Sequence, residues 1–530
     1  MTAPPASLAI DALRRQGRDL LRAGRLADAE NLYRRLLADH SDSAAGHLEL
    51  GISLMLQQRL DEAEAAMRRG LSLEPGDARG PYHLGEVLTA QGRLDEALAS
   101  YRSALAIAPG LAEARANIGS LYLQLGRPQE AEAELRQAIA ASSGLVQARN
   151  NLGIALALQN RWEDAIAAFR EVIAASPGFA DAHNNLGIAL ASGGRFNDAI
   201  RAYRQTLVLK PDHAGACHNL GNALKELGRL AEAEASYRRA IGVAPGHAVA
   251  WQHLGMVLCE QNRIAEGFEC FLRHAALTEG APSRLPHKLQ HDREREAYLA
   301  EIAAGGPESG GRIAGPAVNP ANSAAIQKEW QKAQPQIVII DDLLTAEALE
   351  GLRLFCWRAP IWRKAYEEGY LGAMPEHGFA CPLLAQIAEE LPARFPAIFE
   401  SHPLLQHWAF KYDSRMSGIK LHADFAAVNV NFWITPDDAN RDPQSGGLVV
   451  WDKAAPLDWS FARYNRSPDQ IREFLAREGA TKQVIPYRAN RAVIFDSDLF
   501  HETDRIDFKD GYRNRRINVT LLYGRRGAPA

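Results

Sequence analysis

A glycine returns every 34 residues through the first half of this chain, at Gly17, Gly51, Gly85, Gly119, Gly153, Gly187, Gly221 and Gly255. Ala29, Ala63, Ala97, Ala131, Ala165, Ala199 and Ala233 keep the same step, with Gly267 next in register. A large residue follows at Tyr33, Met67, Tyr101, Leu135, Phe169, Tyr203, Tyr237 and Phe271, and Pro75, Pro109, Pro177, Pro211 and Pro245 punctuate the unit ends. A strict period of this length constrains the fold more than any composition does. Each unit is one helix pair, too small to bury its own apolar face, so the units must stack into a solenoid with a concave surface. The small Gly and Ala positions let paired helices approach closely, and the large residue is expected to fill the gap between successive units. Gly92-Arg93, Gly126-Arg127 and Gly228-Arg229 each end a first helix with a residue that tolerates left-handed backbone.

On these positions residues 8–277 resemble a tetratricopeptide-repeat solenoid of about eight units in one phase. That resemblance implies a groove for a protein or peptide partner. Two residues before the repeat glycine stand Asn117, Asn151, Asn185 and Asn219, flanked by His83 and His253. Amides at regular rise suit the backbone of an extended peptide; the competing reading is that they only solvate the groove.

The charge balance narrows the partners. A formal net charge of −4 argues against a nucleic-acid or membrane-surface binder. No apolar run is long enough for a membrane span, and the N-terminus lacks the apolar core of a signal peptide. Five cysteines without CxxC spacing, at 217, 259, 270, 356 and 381, read as reduced, packed thiols. The expected location is cytoplasmic.

The pattern changes over residues 278–335, read as a helical and Gly/Pro-rich linker or docking segment. His287 and His291 stand at i and i+4 on its helix, with no third ligand at a useful offset, and are read as a solvated face. Residues 336–410 mix helices with strands and include a loop, YEEGYLGAMPEHGFA, expected to act as a lid with Tyr370 and His377 as candidate substrate contacts.

The chemistry concentrates between Lys420 and Tyr523. His422-Ala423-Asp424 begins an extended run, Phe425 to Thr435, and His501 follows a second apolar run, Ala492 to Phe495. Residues i and i+2 of a strand share a face, so His422 and Asp424 can chelate one ion, with His501 closing the set from a neighbouring strand. Two imidazoles and one carboxylate on one face of an octahedral ion make the facial triad of non-haem Fe(II) oxygenases, which leaves three positions open. The pair alone reads more readily as a buried, hydrogen-bonded histidine beside an unrelated surface aspartate, and His40-Ser41-Asp42 repeats the pattern in a turn between repeats. Downstream, Arg516, Asn518 and Thr520 share one strand face while Ile517, Val519 and Leu521 share the other. An arginine facing inward needs an anion, and its planar fork suits a carboxylate.

The order Tyr412, His422-x-Asp424, Ser445-Gly446-Gly447, Phe495-Asp496-Ser497, His501-Glu502-Thr503, Arg516 resembles the 2-oxoglutarate/Fe(II)-dependent dioxygenases, nearest to their prolyl hydroxylase branch. The resemblance covers residues 336–526. It implies a double-stranded β-helix, or jelly-roll, with flanking helices, so that with the repeats the expected fold is an all-α solenoid followed by a jelly-roll domain. It further implies Fe(II) on His422, Asp424 and His501, and 2-oxoglutarate and O2 as co-substrates. Arg516 would hold the distal carboxylate, with Tyr412, Thr520 and Asn431 assisting and Arg515 as the alternative cation. Asn429, Asn431 and Trp433 are expected to point inward, where the family is more apolar or tyrosyl.

The expected function is hydroxylation of a protein or peptide captured by the repeat groove. Three alternatives stay open: a catalytically silent repeat scaffold, a small-molecule hydroxylase, and a cupin-type metal enzyme without a 2-oxo acid. Arg516 separates the last from the main reading.

Overall fold

The computed structural model describes residues 6–526 apart from 279–282, 284, 303–309, 322, 400–401 and 417. The Gly-rich start of the expected linker loop, up to Ser309, lies outside the described residues. Sixteen helices, from α1 (Ala6–Arg22) to α16 (Ile264–Leu277), fill the repeat region. Contacts divide the chain into two compact units, Met1–Asp212 and His213–Ala530, so the division falls inside the repeat array rather than at its end.

In the first unit the repeat pattern has a direct steric reading. A Cβ placed on Gly17 would lie 2.4 Å from Tyr33, one on Gly85 2.7 Å from Tyr101, and one on Gly153 2.5 Å from Phe169. The large residue therefore sits over the glycine of its own helix pair. The expectation that it fills the gap between units is corrected: a 16-residue offset brings the two together across the hairpin. The turn inside each pair carries one left-handed residue, Gly24, Gln58, Gly92, Gly126, Asn160 and Gly194 here, and Gly228 and Asn262 in the second unit. The arginine after it links units: Arg59 Nη1 reaches Glu30 at 2.7 Å and Nη2 reaches Glu62 at 2.6 Å. Arg93 and Arg161 repeat the arrangement with Glu64 and Glu96, and with Glu132 and Asp164.

The second unit joins the last repeat helices to a β-rich region. The helix α17 (Pro286–Glu301) and α18 (Ser323–Lys332) precede β1 (Ile337–Ile340), α19 (Ala346–Arg358), β2 (Lys364–Ala365) and β3 (Tyr370–Ala373). Then come α20 (Pro382–Arg394), α21 (Pro396–Phe399), β4 (Leu404–Tyr412), β5 (Arg415–Met416), β6 (Ala426–Trp433) and β7 (Leu448–Ala454). The chain closes with α22 (Phe461–Arg466), α23 (Pro468–Arg477), β8 (Lys482–Ile485), β9 (Ala492–Asp496), β10 (Leu499–Thr503), β11 (Ile506–Asp507) and β12 (Ile517–Arg525). Seven strands form one sheet in the order β1-β9-β6-β12-β4-β3-β2, with β10-β7-β8 and β11-β5 as smaller sheets. All strand pairs are antiparallel.

The large sheet is two-faced because its strands alternate with period two. Val428, Val430, Phe432, Val519 and Leu521 enter the core shared with the helices, where Phe268, Phe271, Leu352 and Leu383 meet them. The other face carries Tyr412, Trp433, Val493 and Phe495, which pack with Leu448 and Val450 of β7 and Ile485 of β8. Residues 310–321 are docked rather than a free linker: Ala317 and Val318 are fully buried, and their N–H groups donate to Glu390 Oε2 at 2.9 and 2.8 Å. His291 is likewise not on a solvated face. It is buried against Trp362 and Tyr512, because α17 lies on the sheet's helical side.

Candidate metal centre

Backbone pairing brings the two histidines together. His422 N–H donates to the His501 carbonyl at 3.0 Å and His501 N–H to that of His422 at 2.8 Å. The rings lie 4.3 Å apart between centroids. His422 precedes β6 rather than beginning it, and the segment is fixed from the other side: Ala423 N–H donates to the Tyr464 carbonyl at 2.9 Å and Asn465 Nδ2 to the Ala423 carbonyl at 2.9 Å. The α22–α23 insertion, through Tyr464, Ile471 and Leu475, therefore supports the ligand segment from behind.

Each imidazole is oriented by its second nitrogen. His422 Nδ1 lies 2.8 Å from the Lys420 carbonyl and His501 Nδ1 3.0 Å from that of Leu499. A carbonyl only accepts, so both rings carry their proton on Nδ1 and present a bare Nε2, the tautomer a metal requires. His422 Nε2 is 3.9 Å from Asp424 Oδ1, and His501 Nε2 is 3.5 Å from Asp424 Oδ2. One ligand atom from each of the three residues lies within 4.8 Å of the others, the only such cluster among the described residues. His40 and Asp42 form no such group.

Protonation suits a cation. Burial, with the neighbouring His501, pushes His422 down to about 4 and keeps it neutral. For Asp424 burial works against ionisation, but the flanking histidines and the N–H donated by Asn429 hold its carboxyl below the usual range. Two imidazole nitrogens and one carboxylate are the donor set of a divalent first-row metal.

The cavity beside the triad ends on Arg516, Tyr412, Asn518 and Thr520. Arg516 is buried, and among the described residues no carboxylate forms an ion pair with it. Its Nε donates to the Gly446 carbonyl at 2.6 Å and its Nη2 to that of Gly447 at 3.3 Å, while Nη1 and the Tyr412 hydroxyl have no partner. The guanidinium carbon stands 4.7 Å from the Tyr412 ring centre and 5.6 Å from that of Trp433. A Cβ on Gly447 would lie 1.8 Å from the Ile485 carbonyl, which explains the glycine in this cradle. A buried cation with an unmet N–H beside an unmet phenol fits an anionic ligand. The fork is half occupied by the two carbonyls, which leaves Nη1 and the Tyr412 hydroxyl as the groups open to such a ligand.

Other expected contacts fall differently. Arg515 points away, 3.0 Å from Glu294 and 3.8 Å from Asp413, leaving Arg516 alone at the cavity. Asn429, Asn431 and Trp433 do point inward, but Asn431 and Thr520 are engaged with each other and with Asn429 and Asn518. Tyr370 lies on β3 in a cleft of about 370 Å³ that opens above His422 and Asp424, with Trp408, Phe410, Phe425 and Phe461. The expected lid is this β2–β3 hairpin, and His377 lies elsewhere, in a second cleft with His274 and Lys288. In the repeats, Asn117 donates to Tyr82, Asn151 to Ser120 and Asn185 to Asn150. Asn219, in the other unit, is not free either. The first three rungs thus tie neighbouring helix pairs together. Sequence reasoning missed the hydrogen bond from Asn429 to Asp424 and the support from Tyr464; an inward-facing amide beside a candidate ligand carboxylate was the available signal for the first.

Family models described as tetratricopeptide repeat match residues 14–78, 76–144, 116–178, 159–214 and 214–247. Residues 14–247 are tetratricopeptide repeats. No curated protein matches the chain. Solved structures similar to part of it include YrrB, described as a TPR protein with an unusual peptide-binding site (23% identity, 35% of this chain and 96% of that one, TM-score 0.31). MamA is 27% identical over 31% of this chain and 97% of its own, with a TM-score of 0.29. PilW, a type IV pilus biogenesis factor, is 25% identical over 41% and 98%, with a TM-score of 0.38.

Proposed function

We propose that this chain is an Fe(II)- and 2-oxoglutarate-dependent dioxygenase, with a jelly-roll catalytic region, that hydroxylates a protein or peptide brought to it by the repeats. The observation that carries the reading is one cavity holding both the His422, Asp424 and His501 cluster and the unpaired, buried Arg516. When bound, Fe(II) and 2-oxoglutarate supply O2 activation, coupling oxidative decarboxylation of the co-substrate to hydroxylation of a C–H bond.

The chain's own residues have separable tasks. His422 and His501 present Nε2 because the carbonyls of Lys420 and Leu499 take their Nδ1 protons. Asp424 supplies the single negative charge. Arg516 Nη1 and the Tyr412 hydroxyl anchor the distal carboxylate, and the Gly446 and Gly447 carbonyls keep the guanidinium from turning away. The aromatic cleft orients a substrate side chain over the open face of the triad and limits water around it. The repeats provide the protein-binding part.

The second reading is a repeat scaffold for protein–protein interaction, favoured by family matches that fall within residues 14–247. Anaerobic titration with Fe(II) and then 2-oxoglutarate separates the two. The dioxygenase reading expects a weak visible charge-transfer band that Asp424→Ala abolishes, and succinate release on admitting air. Arg516→Ala should leave the metal bound and raise the 2-oxoglutarate requirement at least tenfold, as loss of a buried charge-assisted contact implies. Protein that binds no metal sinks the enzyme reading and leaves the scaffold; metal binding without a band favours a cupin-type enzyme.

A further inference from the structure

Four buried polar side chains run from the metal ligand Asp424 along the cavity wall. Asn429 Nδ2 donates to Asp424 Oδ2 at 2.7 Å, Asn431 Nδ2 donates to Asn429 Oδ1 at 2.6 Å, and Asn518 Nδ2 donates to Asn431 Oδ1 at 2.7 Å. The Thr520 hydroxyl also donates to Asn431 Oδ1, at 3.0 Å, and accepts from Asn518 at 3.1 Å. All four are inaccessible to solvent or nearly so. They come from two adjacent strands, with Thr520 directly opposite Asn431 and Leu522 opposite Asn429 in the β6–β12 register.

The direction of this chain is dictated by one end. An ionised carboxylate only accepts, so Asn429 must turn its amide nitrogen toward Asp424 and its oxygen away. Asn431 must then donate to that oxygen and offer its own oxygen onward, which both Asn518 and Thr520 satisfy. Each amide is locked by the next, and reversing any one would set two acceptors face to face. Four polar groups in strand interiors cost stability unless paired, an apolar set would pack the same space without that demand, and Asn518 Oδ1 at the far end has no partner.

We infer that Asn429 is a positioning residue for Asp424, and that Asn431, Asn518 and Thr520 form a polarity-locked relay that holds it in place. The inference rests on the metal-centre reading above. By engaging Oδ2, Asn429 holds one carboxylate oxygen back, so that Asp424 binds a metal through a single oxygen and a coordination position stays open for the co-substrate. The relay ends on the cavity wall shared with Arg516, so it also ties the ligand geometry to the strand that carries the co-substrate anchor.

Co(II) titration of the full-length chain, followed by its visible absorption, tests this without turnover. His501→Ala serves as the control for the site, and apo melting temperatures are measured beside each affinity. Asn429→Leu should weaken Co(II) binding about 10- to 100-fold, the range for lost ligand-orienting partners. Asn431→Leu and Thr520→Val should weaken it in the same direction by successively smaller factors, and they serve if Asn429→Leu does not fold. Affinities within twofold of wild type in folded Asn429→Leu or Asn431→Leu protein would overturn the relay while leaving the triad standing. A wild-type chain that binds no Co(II), or a His501→Ala chain that binds it equally, would overturn the metal-centre reading and the relay with it.

Discussion

Lys411 is the side chain on β4 whose neighbour, Tyr412, faces the cavity; Lys411 itself points to the opposite face of the sheet. Its Nζ lies 3.4 Å from His291 Nε2, 3.4 Å from the centre of the Tyr512 ring and 5.8 Å from that of Trp362. No carboxylate pairs with it among the described residues. Burial, aided by Arg515 nearby, puts its pKa well below the ordinary lysine value. The unfolded chain therefore binds more protons than the folded one across the window up to the unfolded lysine value, and stability rises with pH through that window. Lys411→Met is expected to stabilise the chain by about 1–3 kcal/mol at pH 7, because it removes an uncompensated buried amine. The gain should shrink toward pH 10. Denaturant midpoints at the two pH values check this, and an equal or lower midpoint for the variant at pH 7 would count against it. Arg516 is also buried without an anion, yet it keeps its carbonyl cradle and an open N–H at the cavity. Arg516 was legible in the sequence as an inward-facing strand arginine; the burial of Lys411 on the helical side of β4 was not, since it depends on what packs there.

At the level of elements, the repeat turns are nearly uniform and the exceptions are informative. Eight turns place a residue in the left-handed region; five use Gly, two use Asn, and Gln58 alone has a long side chain there at φ 61°. A side chain with a Cβ costs about 1–2 kcal/mol in that region, partly offset by the extra freedom glycine has when unfolded. Gln58→Gly should therefore raise stability by about 0.5–1 kcal/mol, and Asn160→Gly by less, since Asn tolerates the conformation. Thermal unfolding of the two variants side by side decides it; a loss of stability in Gln58→Gly would show that its side-chain contacts outweigh the strain. The turn glycines were legible from the period alone. The arginine clamp that follows several of the turns was not, because its second partner comes from the preceding helix pair, as with Arg59 and Glu30.

Across the molecule, the last repeat helices belong to the same compact unit as the β-rich region. Phe268 of α16 stacks on His407 of β4 with ring centres 4.4 Å apart, and His407 Nε2 donates to the Phe379 carbonyl at 2.8 Å. Phe268→Ala should destabilise this unit by about 3–5 kcal/mol, a cost typical of emptying a large aromatic site, and should lower its unfolding midpoint. Burial holds His407 at about 4, below its ordinary value of 6.5. The unfolded chain thus takes up the extra proton first, and stability falls as pH drops from about 6.5 toward 4. Among the described residues no helix is long and apolar enough to cross a membrane. What the sequence determined by itself was periodic or local: the 34-residue helix pairs, the left-handed turns, the two-faced strands of the β-rich region, and the identity of His422, Asp424 and His501 as a possible ligand set. All but the last follow from spacing along one element, where geometry is fixed by helix or strand repeat, and the ligand set joins one such pair to a histidine on another strand. Tertiary structure decided the rest. It set the junction inside the repeat array, buried His291 and Lys411, half-filled the Arg516 fork with glycine carbonyls, and joined β6 to β12 through an amide chain. Those outcomes depend on which residues meet across separations such as 70, 87 and 120 positions, and sequence distance carries no information about that register.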